Sequence, residues 1–447
     1  MAGRSDVMTT HIPPEEIQFH PTSFCDRNGR LFSWRGGLYR ALTPQGAALG
    51  QRLFSSGVVA ELVQSGLLID TELTDLTLEG WPAVVQHRRL PFISFPYEWS
   101  GRMLRDAAVL IADLELALRA RGFALNVNDL TPSNVLFDGC RPVYIDFGSI
   151  RDAGDLPGRA YEDFLNSCAF PAKLAALGQA PLARMLLRPQ NGLSLDDLAA
   201  LERSLHSASR PQKTPALLQR LLSPLASTRS QRNRLPNLKQ AKAEIEQLDI
   251  PLAAASNHQA DPAIEQSLRQ LAHELNPVSA LLLGPVSDPL VSTFLDHGCQ
   301  VIVAAPDDST IDRQYSFARP DPGSLLPLVL DPRYPTPGLG VANREYASAF
   351  ERLACEMVVA QDVVTSLVFD HYLNFDQIAT TLSLWTRRWL AVEFVFPENA
   401  ALRPRCEEPF YAWYGLDGFR ASLATHFASV EIRASSADAH CLLLCTR

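Results

Sequence analysis

Three oxygen-bearing side chains lie close together in one short stretch of the chain. Asp129 is followed five residues later by Asn134, and Asp146 opens an Asp-Phe-Gly triplet. Between them the apolar runs 135–137 and 143–145 flank an Asp-Gly pair, a pattern that predicts two short strands joined by a tight turn. Two carboxylates and an amide at the ends of such a hairpin are suited to bind a hard divalent cation and a phosphate group.

The segments around this hairpin predict the elements that position it. Residues 23–42 alternate apolar residues with turn signals and predict antiparallel strands, and residues 81–96 return to strand character. Residues 50–68 and 102–121 carry apolar side chains at helical spacing and predict helices. Residues 155–205 are also helical in pattern. We therefore expect a small sheet with one helix, a long helix, the hairpin and a helical lobe, in that order.

Composition limits the classes of function. Of 447 residues, 47% are hydrophobic and 20% are charged, and the net charge of -9 offers no basic surface for nucleic acid or an anionic membrane. The eight cysteines lack the spacing of a zinc site and are expected to be reduced core residues. No apolar run of membrane-spanning length and no apolar signal-peptide core are present, which predicts a cytoplasmic protein.

Changes in residue pattern predict four parts of the chain. Residues 1–18 are polar and expected to be loose, and residues 19–205 contain the hairpin and its lobes. Residues 206–277 are rich in polar residues and proline with short amphipathic pieces, which predicts a helical linker. In residues 278–447 strands alternate with helices and two late strands follow, which predicts a doubly wound α/β domain with an antiparallel edge.

The stretch Asp-Leu-Thr-Pro-Ser-Asn, followed twelve residues later by Asp-Phe-Gly, resembles the catalytic loop and metal-binding triplet of protein kinases and small-molecule phosphotransferases. The resemblance implies a two-lobed kinase-like fold in which Asp129 orients an acceptor hydroxyl or takes its proton. It further implies that Asn134 and Asp146 hold Mg²⁺ against the phosphates of ATP. The first lysine is Lys173, so Arg40 stands in for the usual phosphate-gripping lysine, with Glu61 as its expected ion-pair partner.

The last part of the chain resembles class I S-adenosylmethionine-dependent methyltransferases. The whole chain is similar to a bacterial family with a kinase-like part and a methyltransferase-like part, linked by name to nodulation. The matching stretches are Leu-Pro-Phe-Ile-Ser-Phe-Pro-Tyr-Glu-Trp-Ser at 90–100, the hairpin, Asn-Arg-Glu at 343–345, and Arg-Trp-Leu-Ala-Val-Glu-Phe-Val at 388–395. The resemblance implies a fold that combines an α+β unit with a Rossmann-like α/β unit.

The expected cofactor loop of the methyltransferase-like part departs from the family pattern. After the first strand, one glycine remains, Gly284, where three would let the cofactor lie against bare backbone. The acidic residue expected after the second strand aligns with Ala305, and Asp307 follows two residues on. Together with Gln361 and Glu393, Gly284 and Asp307 are the expected contacts of S-adenosylmethionine.

Three hypotheses follow from these patterns. The first is an ATP- and magnesium-dependent phosphotransferase acting on a small molecule, since the hairpin keeps its ligands while the methyltransferase-like loop has lost glycines. The alternative is a small-molecule methyltransferase that uses S-adenosylmethionine. A further alternative makes both parts non-catalytic binding modules. His371, which has no partner at metal-ligand spacing, is expected to have an ordinary structural role.

Overall fold

The structure, a computed structural model, describes residues 10–24, 26–154, 158–188, 237–251, 261–318, 323–437 and 439–447. These residues build two sheet-centred units. The first holds a five-stranded antiparallel sheet, and the second holds a seven-stranded mixed sheet. Part of the expected helical lobe and part of the expected linker lie outside the described residues.

The strands of the first unit are short and mostly antiparallel. In chain order they are β1 (His11–Ile12), β2 (Gln18–Phe19), β3 (Gly29–Trp34), β4 (Gly37–Leu42), β5 (Thr71–Leu73), β6 (Thr77–Leu78), β7 (Ala83–His87), β8 (Phe123–Leu125), β9 (Val135–Asp138), β10 (Arg141–Tyr144) and β11 (Ile150–Asp152). The main sheet has the order β2-β3-β4-β7-β5. The strands predicted within 23–42 are therefore present as β3 and β4.

Two features of this unit depart from the sequence expectations. Residues 10–18, expected to be loose, contribute β1, which pairs in parallel with β6 and buries Ile12 completely. The strand predicted to run to residue 96 ends at β7. The structure therefore places the end of the polar N-terminal segment inside the fold, because one buried isoleucine and a strand pairing hold it there.

The helices of the first unit surround this sheet and the hairpin. They are α1 (Pro44–Ser55), α2 (Val58–Gln64), α3 (Gly101–Ala120), α4 (Gly158–Phe164), α5 (Phe170–Ala176), α6 (Ala180–Leu186) and α7 (Leu238–Glu246), with a π-helical turn at Leu165–Ala169 between α4 and α5. The single helix expected over 50–68 is two helices, because Gly57 adopts a left-handed φ of 76° between them. None of the helices among the described residues is long and apolar enough to cross a membrane.

The second unit has the doubly wound sheet that its sequence predicts. Its strands are β12 (Ser279–Leu283), β13 (Gln300–Ala305), β14 (Leu325–Val329), β15 (Cys355–Ala360), β16 (Thr386–Val395), β17 (Ser429–Ser435) and β18 (His440–Thr446). Their order is β14-β13-β12-β15-β16-β18-β17, and β18 is antiparallel to both its neighbours. The order reverses between β12 and β15, which is the place where open α/β sheets bind their ligands.

The helices of the second unit are α8 (Pro262–Leu275), α9 (Asp288–Asp296), α10 (Asp308–Ala318), α11 (Ala349–Arg352), α12 (Val363–Phe369), α13 (Phe375–Trp385), α14 (Arg403–Cys406) and α15 (Leu416–Ala424). α8 lies in the segment expected to be a linker, but it packs on α9, β17 and β18. The long helix expected near 343–353 is reduced to α11. α10, which the sequence patterns did not predict, packs against α3 of the first unit.

The two units share one hydrophobic core. Trp99 contacts Phe137 edge to face at 4.8 Å between ring centroids, and Phe137 in turn contacts Tyr315 of α10 at 6.1 Å. A buried ion pair joins Glu98 to Arg352, and both side chains are 2% exposed. All seven cysteines among the described residues are unpaired, as expected, and only Cys406 of these is not fully buried.

Candidate functional site

The hairpin of β9 and β10 brings Asn134 next to Asp146. An Asp-Gly turn at 138–139, with Gly139 at a φ of 60°, joins the strands, and the pairing runs from Arg141 opposite Asp138 to Tyr144 opposite Val135. The Ile145 amide then donates to the Asn134 carbonyl at 2.9 Å, which extends the ladder by one bond. Asp146 therefore leaves the hairpin beside Asn134, as the sequence predicts.

Asp129, Asn134 and Asp146 line one cavity of about 980 Å³ in the first unit. The structure thus brings together the three residues that the sequence singled out. Sequence reasoning assigned no role to several other residues that line this cavity. Those that matter below are Asp26, Arg27, Arg52, Asn126 and Arg151. Of these, only Asn126 gave a signal, since it begins the Asn-Val-Asn-Asp run before the hairpin.

Tyr144 holds the cavity floor in place. Its hydroxyl donates to the main-chain oxygen of Asp129 at 3.0 Å and accepts from the Asn134 side-chain amide at 3.2 Å. The ring is completely buried, so these bonds form where water does not compete. Because the amide nitrogen of Asn134 is engaged, its side-chain oxygen is the atom left to bind a ligand in the cavity.

The two carboxylates of the cavity influence each other. Burial, followed by the nearby charge of Asp146, raises the pKa of the Asp129 carboxyl, while hydrogen bonds from Asn126 and Asn134 oppose part of that rise. No ion pair to Asp129 is formed within the described part of the chain. Two partly buried carboxylates that line one cavity with an amide oxygen beside them have the chemistry of a site for a hard divalent cation.

A metal site in this cavity would need the side-chain amide of Asn134 in addition to carboxylates. Among the described residues, no group of three or more histidine, cysteine, aspartate or glutamate side chains is placed to hold a metal ion. Asp146 and Asn134 are the residues that fit the cation, because carboxylate and amide oxygens are the ligands that Mg²⁺ accepts. Asp129 is the third polar group of this set that lines the cavity.

Arg40 lies on the central strand β4 and contacts Asp146. Its guanidinium donates to Asp146 at 3.0 Å and also pairs with Asp26, and its side chain is 6% exposed. Gly148 packs so tightly here that a Cβ would collide with both Asp26 and Arg40. Arg40 is therefore neutralised by two carboxylates rather than exposed to the cavity.

Glu61 does not take the expected place beside Arg40. It lies on α2 and pairs with Arg121, and both side chains are about half exposed. The cause is the left-handed turn at Gly57, which ends α1 and lets α2 pack on α3. Asp26, over a hundred residues from Asp146 in the sequence, is the carboxylate that fills the role predicted for Glu61.

The other predicted contacts lie at the carboxyl ends of the strands of the second unit. Gly284 follows β12 with a φ of 96°, and a Cβ there would collide with the main-chain oxygen of Gln361. The Gln361 side chain is 1% exposed, and neither its amide nitrogen nor its amide oxygen has a hydrogen-bond partner among the described residues. A buried, unpaired amide at the sheet's switch point fits a polar cofactor group.

Asp307 and Glu393 are engaged within the protein. Asp307 accepts from the Thr310 amide at 2.8 Å and from Ser309, and so caps the start of α10. Glu393 is 3% exposed and accepts from the Asp362 amide at 3.1 Å and from His440 at 2.7 Å. The structure therefore brings Gly284 and Gln361 into contact and gives Asp307 a capping role that the sequence did not predict. Glu393 binds a neighbouring loop through the Asp362 amide.

Comparison with known proteins finds a relative that is linked by name to nodulation. No protein-family model matches the chain. The chain is 24% identical over 437 residues to nodulation protein NoeA of Rhizobium meliloti (strain 1021), and the alignment covers 90% of each protein. The chain is thus similar to a nodulation protein along nine tenths of its length.

Solved structures match less of the chain. The N-methyltransferase NodS from Bradyrhizobium japonicum WM9 is 14% identical, with a TM-score of 0.29 over 42% of this chain and 98% of NodS. The bifunctional kinase-methyltransferase WbdD is 14% identical, with a TM-score of 0.30, and the match spans 41% of this chain and 38% of WbdD. What identifies the doubly wound architecture of the second unit is its own strand order.

Proposed function

We propose that the first unit binds a nucleotide with Mg²⁺ and transfers a phosphoryl group from it to a small molecule. The observation that carries this proposal is the convergence of Asp129, Asn134 and Asp146 on one cavity of about 980 Å³. A cavity of that size lies within the range that accommodates cofactors and drug-sized ligands. The sequence motif and the geometry both point to the same three residues.

The arrangement of elements supports a kinase-like unit. Antiparallel strands come first, a pair of helices follows the strand that carries Arg40, and two further strands complete the sheet. The long helix α3 then leads to the hairpin. This is the order that the resemblance to protein kinases implies, with Arg40 on the strand proposed for the lysine and Asp26 in the place expected of Glu61.

The proposed roles follow from the surroundings of each residue. Asp146 and Asn134 would hold Mg²⁺, which screens the charge of the phosphates when bound. Asp129 orients the acceptor hydroxyl and takes its proton, and its raised pKa makes it a stronger base than an exposed aspartate. Arg27, Arg52 and Arg151 line the same cavity, and Arg52 is already paired with Asp152. Arg27 is therefore the cation we propose for the phosphate oxygens, with Arg151 beside it.

Calorimetric titration of the full chain with ATP, with and without MgCl₂, tests the proposal. We expect heat with both and a loss of affinity of about tenfold or more in Asp146→Asn, which corresponds to about 1.4 kcal/mol. Asp138→Asn is the matched control, because Asp138 lies on the same hairpin but pairs with Arg88 instead of lining the cavity. Equal losses in both variants, or none in Asp146→Asn, would place the nucleotide elsewhere.

A second candidate is methyl transfer from S-adenosylmethionine in the second unit. The specific observation that favours it is the buried, unpaired amide of Gln361 against Gly284 at the switch point of the doubly wound sheet. The cofactor would there meet an unsatisfied donor and acceptor, which makes binding more favourable than at a surface amide.

Titration with S-adenosylmethionine distinguishes the candidates. Heat with this cofactor alone, lost in Gln361→Leu, would contradict phosphotransfer and support methyl transfer. Heat with ATP and Mg²⁺ alone would have the opposite meaning. Heat with neither would contradict both enzymatic functions and support the non-catalytic alternative, in which the two units are binding modules.

A further inference from the structure

Two histidine rings meet on the surface of the second unit, at the edge of the sheet opposite to Gly284 and Gln361. The ring centroids of His273 and His297 are 5.0 Å apart, with an angle of 45° between the ring planes. Both residues are exposed. They are too far apart in the sequence to form a spacing motif, so folding alone brings them together. We call these two residues the histidine pair.

The pairing of β12 with β13 fixes the position of the histidine pair. His273 lies in the last turn of α8, which leads into β12, and His297 follows the end of α9, which leads into β13. The two strands are parallel neighbours with Ser279 opposite Gln300, and the Gln300 amide donates to the Val278 carbonyl at 3.0 Å. The two helices also pack on each other. The rings are therefore carried by rigid elements, as a precise binding site requires.

The separation of the two rings matches that of two imidazoles bound to the same metal ion. A Zn²⁺–N bond is about 2.0 to 2.1 Å long, so the ion lies about 3.2 Å from each ring centroid, and a tetrahedral angle between the two bonds places the centroids about 5 Å apart. The centroids of the histidine pair are 5.0 Å apart. The pair therefore has the spacing that binding to one ion gives.

His297 has its ring protonated on the nitrogen that a metal would not use. Its Nδ1 lies 2.7 Å from the Thr293 carbonyl oxygen, so Nδ1 carries the proton and donates it to that oxygen. In the neutral ring, Nε2 then keeps its lone pair for a ligand. A hydrogen bond from the second ring nitrogen to a main-chain oxygen is also the usual support of a metal-bound histidine.

The surroundings of the histidine pair favour a cation. Both rings lie at the carboxyl ends of helices, of 14 and 9 residues, where the helix dipole places partial negative charge. Arg269, one turn before His273 on α8, is paired with Glu265. Arg433 is paired with Glu274, the residue after His273. These two arginines are therefore matched by carboxylates and oppose a bound cation only weakly.

We propose that His273 and His297 together bind one divalent transition-metal ion, such as Zn²⁺, through their ring nitrogens. Imidazole nitrogen suits such ions, whereas Mg²⁺ takes oxygen ligands. In the described part of the chain no third histidine, cysteine or acidic side chain completes a metal-binding group, so water fills the remaining coordination positions. The ion ties the end of α8 to the end of α9. The site is independent of the nucleotide cavity and of the S-adenosylmethionine crevice.

The experiment is calorimetric titration of the full chain with ZnCl₂ in excess MgCl₂, which occupies sites made of oxygen ligands. We expect binding with a dissociation constant of about 10 μM or tighter. In protein labelled with ¹⁵N-histidine, the ring nitrogens of two of the ten histidines should shift when Zn²⁺ is added. No binding in excess MgCl₂, or Zn²⁺ binding without a shift of any histidine ring, would overturn the proposal.

Variants assign the ion to the histidine pair. His273→Gln and His297→Gln should each weaken Zn²⁺ binding about tenfold or more, because one imidazole holds the ion less tightly than two. Both positions are exposed, so the metal-free variants should melt like the parent protein. His426→Gln is the matched control, since His426 is also exposed but its Nε2 contacts the Thr380 hydroxyl. Unchanged affinity in either variant of the pair, or an equal loss in His426→Gln, would overturn the assignment.

Discussion

The ion pair between Glu98 and Arg352 is the most buried charge contact between the two units, and its removal gives a sharp prediction. Each side chain is 2% exposed. Arg352 also donates to the Ile93 carbonyl at 2.6 Å and lies 4.3 Å from the Phe95 ring centroid. Glu98 additionally accepts from the Thr336 hydroxyl at 2.6 Å. The perturbation is Arg352→Met, which keeps most of the side-chain volume.

The expected loss of unfolding free energy in Arg352→Met follows from the contacts that Glu98 keeps. The Glu98 carboxylate would stay buried with hydrogen bonds from the Thr336 hydroxyl and the Phe95 amide, both neutral donors. Breaking a buried ion pair on one side costs about 3 to 5 kcal/mol, because the other charge is left without compensation. In Glu98→Gln/Arg352→Met the buried group is neutral, so the double variant should be more stable than the sum of the single losses predicts, by about 2 kcal/mol.

Urea unfolding followed by circular dichroism measures these free energies. Arg403→Met is the matched control, because Arg403 pairs with Glu407 at the surface, where the side chains are 69% and 67% exposed. Its loss should be under about 1 kcal/mol. A loss as small as this in Arg352→Met, or strictly additive losses in the double variant, would refute the view that this pair is desolvated and holds the units together.

Three further predictions concern single groups. Gly284→Ala should lower the free energy of unfolding by about 2 kcal/mol in thermal melts, because its φ is left-handed and a Cβ would meet main chain. The folded-state pKa of Asp129 is raised by burial and by Asp146, so its contribution to stability falls as pH rises from about 4. Without divalent cations, Asp129→Asn should therefore melt higher than the parent protein at pH 7 and match it at the acidic end of the stable range. The hydrogen bond to Glu393 raises the pKa of His440, so its contribution is present below about pH 6.5 and is lost as pH rises through the folded-state pKa. Urea midpoints between about pH 6 and 9 should decline in the parent protein and decline less in His440→Gln.

The relative motion of the two units also bears on function, because the units share one hydrophobic core. Aromatic contacts run from Trp99 through Phe137 to Tyr315 of α10, and the interface includes the buried ion pair described above. Interfaces that are large and apolar resist relative motion of their domains. We therefore expect ligand binding in either unit to proceed without a large hinge movement between them.

Local patterns were sufficient for the hairpin and for most strands of the second unit. The Asp-Gly pair at 138–139 and its flanking apolar runs predicted β9 and β10, because turn chemistry and strand pairing act within a few residues. Buried apolar runs likewise predicted β12, β13 and β15. Asn134 and Asp146 are adjacent for the same local reason, so the core of the candidate site could be predicted from the sequence.

Contacts between distant segments could not be predicted in this way. α10 is a polar helix without a clear apolar stripe, and it is held between β13 and β14 of its own unit and α3 of the first unit. Asp312 in its middle accepts hydrogen bonds from the Ser100 hydroxyl and from the Arg102 amide at 3.2 Å, and Asp308 pairs with Arg184. The polar groups that made this helix look exposed are satisfied by residues more than a hundred positions away.

The sequence by itself determined the hairpin and the closeness of Asn134 and Asp146, the proposed oxygen ligands, because both depend on short-range pairing. The tertiary structure alone decided the partners of the charges. Arg40 pairs with Asp26 and not with Glu61, and His440 donates a hydrogen bond to Glu393. A buried charge without a partner is costly, so buried charged groups pair with the polar groups that folding brings close to them. These partners can be far apart in the sequence, and local patterns therefore do not predict them.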